Sequence, residues 1–130
     1  MCIRDSLMSI KFEKGMKTRE AVLGSDYLDK VKENISKFDK NFQDLITEYV
    51  WGSIWSNDNI SKRERSMLTI AILASQGNLD ELKLHLQACK NTNTSPDDLI
   101  EVMMHVAIYS GIPKANTAIK LIKEELKDRK

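Results

Sequence analysis

The chain contains only two imidazoles, His85 and His105, and each sits on a stretch that reads as a helix. In NLDELKLHLQACKN, Leu79, Leu82, Leu86 and Cys89 form an apolar stripe, and His85 lies at its edge. Glu81 falls one turn before His85, where a carboxylate can orient or charge an imidazole used as an acid or base. The plainer reading is a structural histidine. A second constellation is SKRERS, which puts Arg63 and Arg65 near a helix N-terminus. The macrodipole disfavours cations there, whereas free N–H groups together with arginine forks bind anions. The competing reading is a solvated surface neutralised by Glu64 and nearby acids. Third, Glu101, His105 and Tyr109 recur every four residues on an otherwise apolar helix. Such a stripe reads either as a satisfied core network or as a pocket wall, because an unpaired buried polar group costs about 1–3 kcal/mol. Fourth, TEYVWGSIWSND gathers Glu48, Tyr49, Trp51 and Trp55 around Gly52. It reads as an aromatic core or interface cluster, or as a place where glycine admits a ligand or another helix.

The elements that position these residues read as helices throughout. MKTREAVL ends at Gly24, and Ser25 can cap a helix over YLDKVKENISKF. Asp39 can cap the next, through NFQDLITEYVWGSIW. Ser61 and Glu64 form a capping-box pattern opening a helix that stops at Gly77, and NLDE offers a weaker one. Ser95 followed by Pro96 opens a helix ending near Gly111, and Pro113 can open the last. No stretch alternates with period two, so the expected fold class is all-α, with about six helices. The segments 67–74 and 99–108 are apolar nearly all round, which predicts burial in a core or between subunits and favours a homo-oligomer. Residues 1–10 do not continue the pattern, and MCIRDS resembles mistranslated adaptor DNA; residues 1–10 are set apart as an expected non-native leader in which Cys2 has no role. Residues 11–130 are expected to be a single domain.

Composition narrows the functions. Hydrophobic residues make up 42% of the 130 and charged residues 30%, a globular balance. A net charge of +1 gives no field for nucleic acid, so no nucleic-acid partner is expected. No apolar run is long enough to span a membrane and no signal peptide is evident, which favours the cytoplasm. Cys2 and Cys89 form neither a CxxC nor a metal spacing, so no metal site and no disulfide framework are expected.

GMKTREAVLG, FQDLITEYVWGSIWSND, SKRERSMLTIAILASQGNLDELKLHLQACKN and DDLIEVMMHVAIYSGIPKANTA, in this order and spacing, resemble the 4-carboxymuconolactone decarboxylase family over roughly residues 11–128. The wider superfamily includes alkylhydroperoxidase D-like proteins, which use a CxxCxxxH motif. By the resemblance its histidine corresponds to His85, while Asn78 and Glu81 stand at the two cysteine positions. Ser66 replaces a relay glutamate, and Cys89 falls on the wrong side of His85. A thiol-dependent peroxidase is therefore disfavoured; a non-catalytic helical oligomer remains the other alternative. Ser110 stands where the decarboxylase family often has cysteine, a near-isosteric change.

The resemblance implies a ring-like helical oligomer, commonly a hexamer, and a lyase of the protocatechuate branch of the β-ketoadipate pathway. Its substrate would be 4-carboxymuconolactone, a dicarboxylate lactone, and its products 3-oxoadipate enol-lactone and carbon dioxide, with no cofactor. The departing carboxylate sits on a carbon linked through a C=C bond to the lactone carbonyl, so the substrate is its own electron sink. Such a reaction needs cations for two carboxylates, a donor for the lactone oxyanion and an acid for carbon. On this basis His85 is expected to do acid–base work, oriented by Glu81. Arg65, then Arg63, are expected to bind carboxylates, and His105 and Tyr109 to donate to the lactone oxygen. Glu48 and Trp51 are expected to wall the pocket, with Glu48 an alternative proton donor.

Overall fold

The computed structural model describes residues 3–127, with side chains from residue 10 onward. Cys2 lies outside the described residues. Among the described residues there are seven α-helices and one π-helical segment, and no strand. They fall into two compact units, residues 1–60 and 61–130.

In the N-terminal unit, α1 spans Ile3–Leu23, α2 Ser25–Glu33 and α3 Lys40–Leu45, and α3 runs on as a π-helix over Ile46–Trp55. The first helix extends well before the MKTREAVL stretch. Once Gly15–Val22 is anchored, adding turns backward needs no new nucleus, and no proline interrupts them. α1 packs mainly on the π-helical segment. Their crossing requires two glycines. A Cβ on Gly15 would stand 1.9 Å from the Thr47 carbonyl oxygen, and one on Gly52 would stand 2.3 Å from the Lys11 carbonyl oxygen. The glycine inside TEYVWGSIW therefore admits another helix. Ser56 Oγ donates to the Trp51 carbonyl at 2.6 Å, five residues back, as the wide π register allows.

Caps follow the sequence where the box is complete. In the C-terminal unit, α4 covers Lys62–Gln76, α5 Leu79–Thr92, α6 Pro96–Tyr109 and α7 Ile112–Glu125. Ser61 Oγ accepts from the Glu64 N–H, and Glu64 Oε1 accepts from the Ser61 N–H. Ser95 and Asp98 make the same reciprocal pair, with Pro96 in the first turn. Gly77 ends α4 in the left-handed region at φ 73°. The simpler caps differ. Asp39 Oδ2 accepts from the Ser36 N–H and hydroxyl instead of capping α3, Gly24 holds the cap position ahead of Ser25, and Asn78 donates to the Gln76 side chain.

Ile70, Leu82, Leu86, Cys89, Leu99, Met103 and Ala118 form one continuous core from all four helices of this unit. The two apolar helices are not buried all round. α6 buries Leu99, Val102, Met103 and Val106, while Ile100, Met104 and Ile108 are exposed; α4 buries Ile70 and leaves Leu68 and Ile72 exposed. No described helix is long and apolar enough to cross a membrane.

The glycine crossing gives a direct test. Gly15→Ala must push the π-helical segment away, at a cost of about 1–3 kcal/mol or more. A melting temperature lowered by several degrees is expected; an unchanged one would show that the crossing is loose.

Candidate functional site

The residues singled out for chemistry divide between the units. In the C-terminal unit, His85 projects from the middle of α5, fixed by Leu82, Leu86 and Cys89 in the core. Its ring is half-buried, but Nδ1 is wholly enclosed. Loss of water around the ring holds the imidazole pKa down at about 4. At neutral pH His85 is therefore an uncharged donor–acceptor, not an imidazolium. Glu81 does not change this: it is exposed, and no hydrogen bond or ion pair joins it to His85 among the described residues. The expected carboxylate–imidazole pairing is thus corrected. One turn along a helix brings two side chains near, but Glu81 extends into solvent while His85 leans on the core.

Arg63 is corrected in a different way. Its anion is a carboxylate of the chain itself: Nε donates to Asp98 Oδ2 at 2.8 Å and Nη2 to Oδ1. Arg63 beside it holds the Asp98 carboxyl well below the ordinary carboxylate range. Because Asp98 also closes the Ser95 capping box, one carboxylate ties together the starts of α4 and α6. Arg65, two residues on, is half-buried in the first turn of α4, whose N-terminus favours negative charge.

The Glu101, His105 and Tyr109 stripe is neither core network nor pocket wall within this unit. All three are exposed, Tyr109 by 80%, and the His105 and Tyr109 rings lie 4.8 Å apart. The buried stripe of α6 is set by Leu99, Val102 and Val106, which turns this face outward. The expectation that His105 and Tyr109 donate to a bound lactone is therefore not supported by an enclosed position.

Cys89 is fully buried, and its thiol donates to the His85 carbonyl at 3.3 Å. Ser66 is also fully buried and donates to Thr92 Oγ1 at 2.8 Å. Thr92 Oγ1 meets Thr94 Oγ1 at 2.8 Å and donates to the Cys89 carbonyl. Together these hydroxyls close a core network. No group of three or more metal-ligating side chains occurs among the described residues.

In the N-terminal unit Glu48 is 8% exposed, and its Oε1 is buried without a hydrogen-bond partner among the described residues. Such an oxygen is costly unless something else satisfies it. Trp51 and Trp55 are both buried, with ring centroids 5.0 Å apart, so the aromatic-cluster reading holds for both. Arg19, which sequence alone offers at most as a substitute carboxylate clamp, is buried in this unit. It donates to Gln43 Oε1 at 2.9 Å and to Thr47 Oγ1 at 3.2 Å. The signal was present: Gly15, Arg19 and Val22 share one helical stripe, and all three are buried.

The family model for carboxymuconolactone decarboxylases matches residues 40–124, a span that takes in residues of both units. The 4-carboxymuconolactone decarboxylase of Acinetobacter baylyi is 36% identical over 118 residues, covering 91% of this chain and 88% of that protein. The nitrosuccinic acid decarboxylase of Metarhizium robertsii is 32% identical over 124 residues, covering 95% of this chain and 87% of that one. With its all-helical fold, the chain belongs to the carboxymuconolactone decarboxylase family. Both of these relatives are decarboxylases, as befits a carboxy-lyase.

The enclosed imidazole makes stability depend on pH. Its folded pKa lies below the ordinary 6.5, so as pH falls through 6.5 the unfolded chain takes up the proton first and stability is lost. The loss is complete below about 4. Between pH 7 and pH 4.5 the wild type should lose about 2 kcal/mol more than His85→Gln in urea denaturation. Equal losses would mean that the ring is not desolvated.

Proposed function

We propose that this protein removes carbon dioxide from 4-carboxymuconolactone, giving 3-oxoadipate enol-lactone in protocatechuate catabolism. The observation that carries the reading is its likeness, over nearly the whole chain, to the Acinetobacter baylyi enzyme. The second relative is named for a substrate of related chemistry. Nitrosuccinic acid is also a dicarboxylate, with one carboxyl on the carbon that bears an electron-withdrawing group. In both compounds the electrons of the breaking C–C bond flow into a sink the substrate already owns. No metal or organic cofactor is needed for that step.

The protein must then hold anions, stabilise the dienolate and deliver a proton to carbon. Arg65 is the proposed carboxylate ligand, because it lies half-buried in the first turn of α4, whose N-terminus reinforces an anion, and its fork suits a carboxylate. His85, neutral near pH 7, is proposed as a hydrogen-bond donor to the developing lactone oxyanion rather than as the acid. A neutral imidazole polarises a carbonyl without first giving up a proton. Glu48 is the proposed proton source, since its carboxyl is buried with one oxygen unsatisfied. Trp51 is proposed to exclude water.

We further propose a cytoplasmic homo-oligomer, with a hexamer favoured. Exposed Ile100, Met104, Ile108 and Ile112 form an apolar surface of the kind that subunits cover. Light scattering at micromolar concentration should return a multiple of the chain mass; a monomer with full activity would remove this part of the proposal.

The direct test is carbon dioxide release from 4-carboxymuconolactone by the purified protein. Wild type should release it stoichiometrically with enol-lactone. Arg65→Lys keeps the charge but loses the fork and should lower kcat/KM about tenfold, and Arg65→Ala more. No release by folded wild type would refute the proposed reaction, and near-wild-type kinetics for Arg65→Ala would refute the clamp.

A further inference from the structure

Arg19 poses a problem that the proposed reaction does not solve. Its side chain is 5% exposed, and burial pushes the guanidinium pKa below its ordinary value. A buried cation is expected to have an anion beside it. Among the described residues Arg19 has neutral partners only: Thr47, Gln43 and Tyr27. Its Nε is buried without a hydrogen-bond partner.

Two of those partners, Tyr27 and Gln43, also line a cavity of about 300 Å³ in the same unit. Lys30, Asn34 and Asp39 complete its polar lining, and Val31 and Ile35 its apolar side. The hydrogen bonds within the unit determine which polar groups remain available to a guest. Gln43 Oε1 is taken by Arg19, which leaves the Gln43 amide N–H₂ as a donor. Asn34 Nδ2 is spent on the Lys30 carbonyl, and Asp39 Oδ2 on Ser36. Lys30 contributes an ammonium for which no ion pair occurs among the described residues. The Gln43 amide, the Tyr27 hydroxyl and the Lys30 ammonium are donors, with the buried Arg19 charge held by Tyr27 and Gln43, while Asn34 Oδ1 and Asp39 Oδ1 remain acceptors on the other part of the lining.

We propose that this cavity binds a small carboxylate with a short apolar body. The carboxylate accepts from Lys30, from the Gln43 amide and from the Tyr27 hydroxyl, and its charge offsets Arg19. The body lies on Val31 and Ile35. A second carboxylate on the guest would meet Asp39, so a monocarboxylate is preferred. This site rests on the N-terminal unit alone and does not depend on the proposed decarboxylation.

The test uses pentanoate as the probe and pentanamide as its uncharged isostere, with binding followed by NMR of the full-length protein. Pentanoate should bind and shift the Tyr27 and Gln43 side-chain signals, and pentanamide should bind at least about tenfold more weakly. Lys30→Gln, an exposed change that leaves the core intact, should weaken pentanoate several-fold. Gln43→Glu supplies Arg19 with a carboxylate from the chain itself; it should abolish pentanoate binding while raising the melting temperature. No shift at 20 mM pentanoate, equal binding of pentanamide, or binding unchanged by Gln43→Glu would each overturn the proposal.

Discussion

Desolvation of a single imidazole sets the terms for the chemistry. His85 is placed by its neighbours on α5: Leu82, Leu86 and Cys89 go into the core, and the ring is drawn against protein on its Nδ1 side. That enclosure keeps it neutral across the physiological range. A neutral histidine is a poor reservoir of protons and a good fixed dipole. The proposed division of labour follows from this. Under the proposed reaction, His85 would stabilise the dienolate oxygen and Arg65 would hold a carboxylate of the substrate.

The two arginines of SKRERS show how similar side chains acquire different work. Arg63 points to the start of α6 and closes a two-pronged bond with Asp98. Exposed ion pairs are ordinarily worth 1 kcal/mol or less. This one is built on an acid that is already immobilised by the Ser95 capping box, so less freedom is lost in forming it. Arg65, two residues later, stays half-buried at a helix end that favours anions.

Much of the fold was legible in the sequence, for identifiable reasons. Reciprocal capping boxes at Ser61 and Ser95 and the left-handed Gly77 mark helix ends through local chemistry alone. The single-residue caps at Ser25 and Asp39 and the weaker NLDE box at Asn78 were poorer signals, and each side chain lacks the expected cap bond. The π register was not legible, because it depends on how closely Gly15 and Gly52 let two backbones approach. For the site, the residue types were legible but their surroundings were not. Spacing placed Glu81 near His85 and put His105 with Tyr109, yet it could not tell which face of each helix the core would claim. The burial of Arg19 was not legible, because a lone arginine on a charged helix reads as solvated, although Gly15 and Val22 share its stripe.

Imidazole ¹⁵N NMR of the uniformly labelled protein measures the charge state of His85 directly. A single neutral tautomer of His85 is expected from pH 8 down to about 5, with protonation only near pH 4. If His85 instead titrates near 6.5, the ring is hydrated and chargeable, and its role as a fixed neutral donor is contradicted.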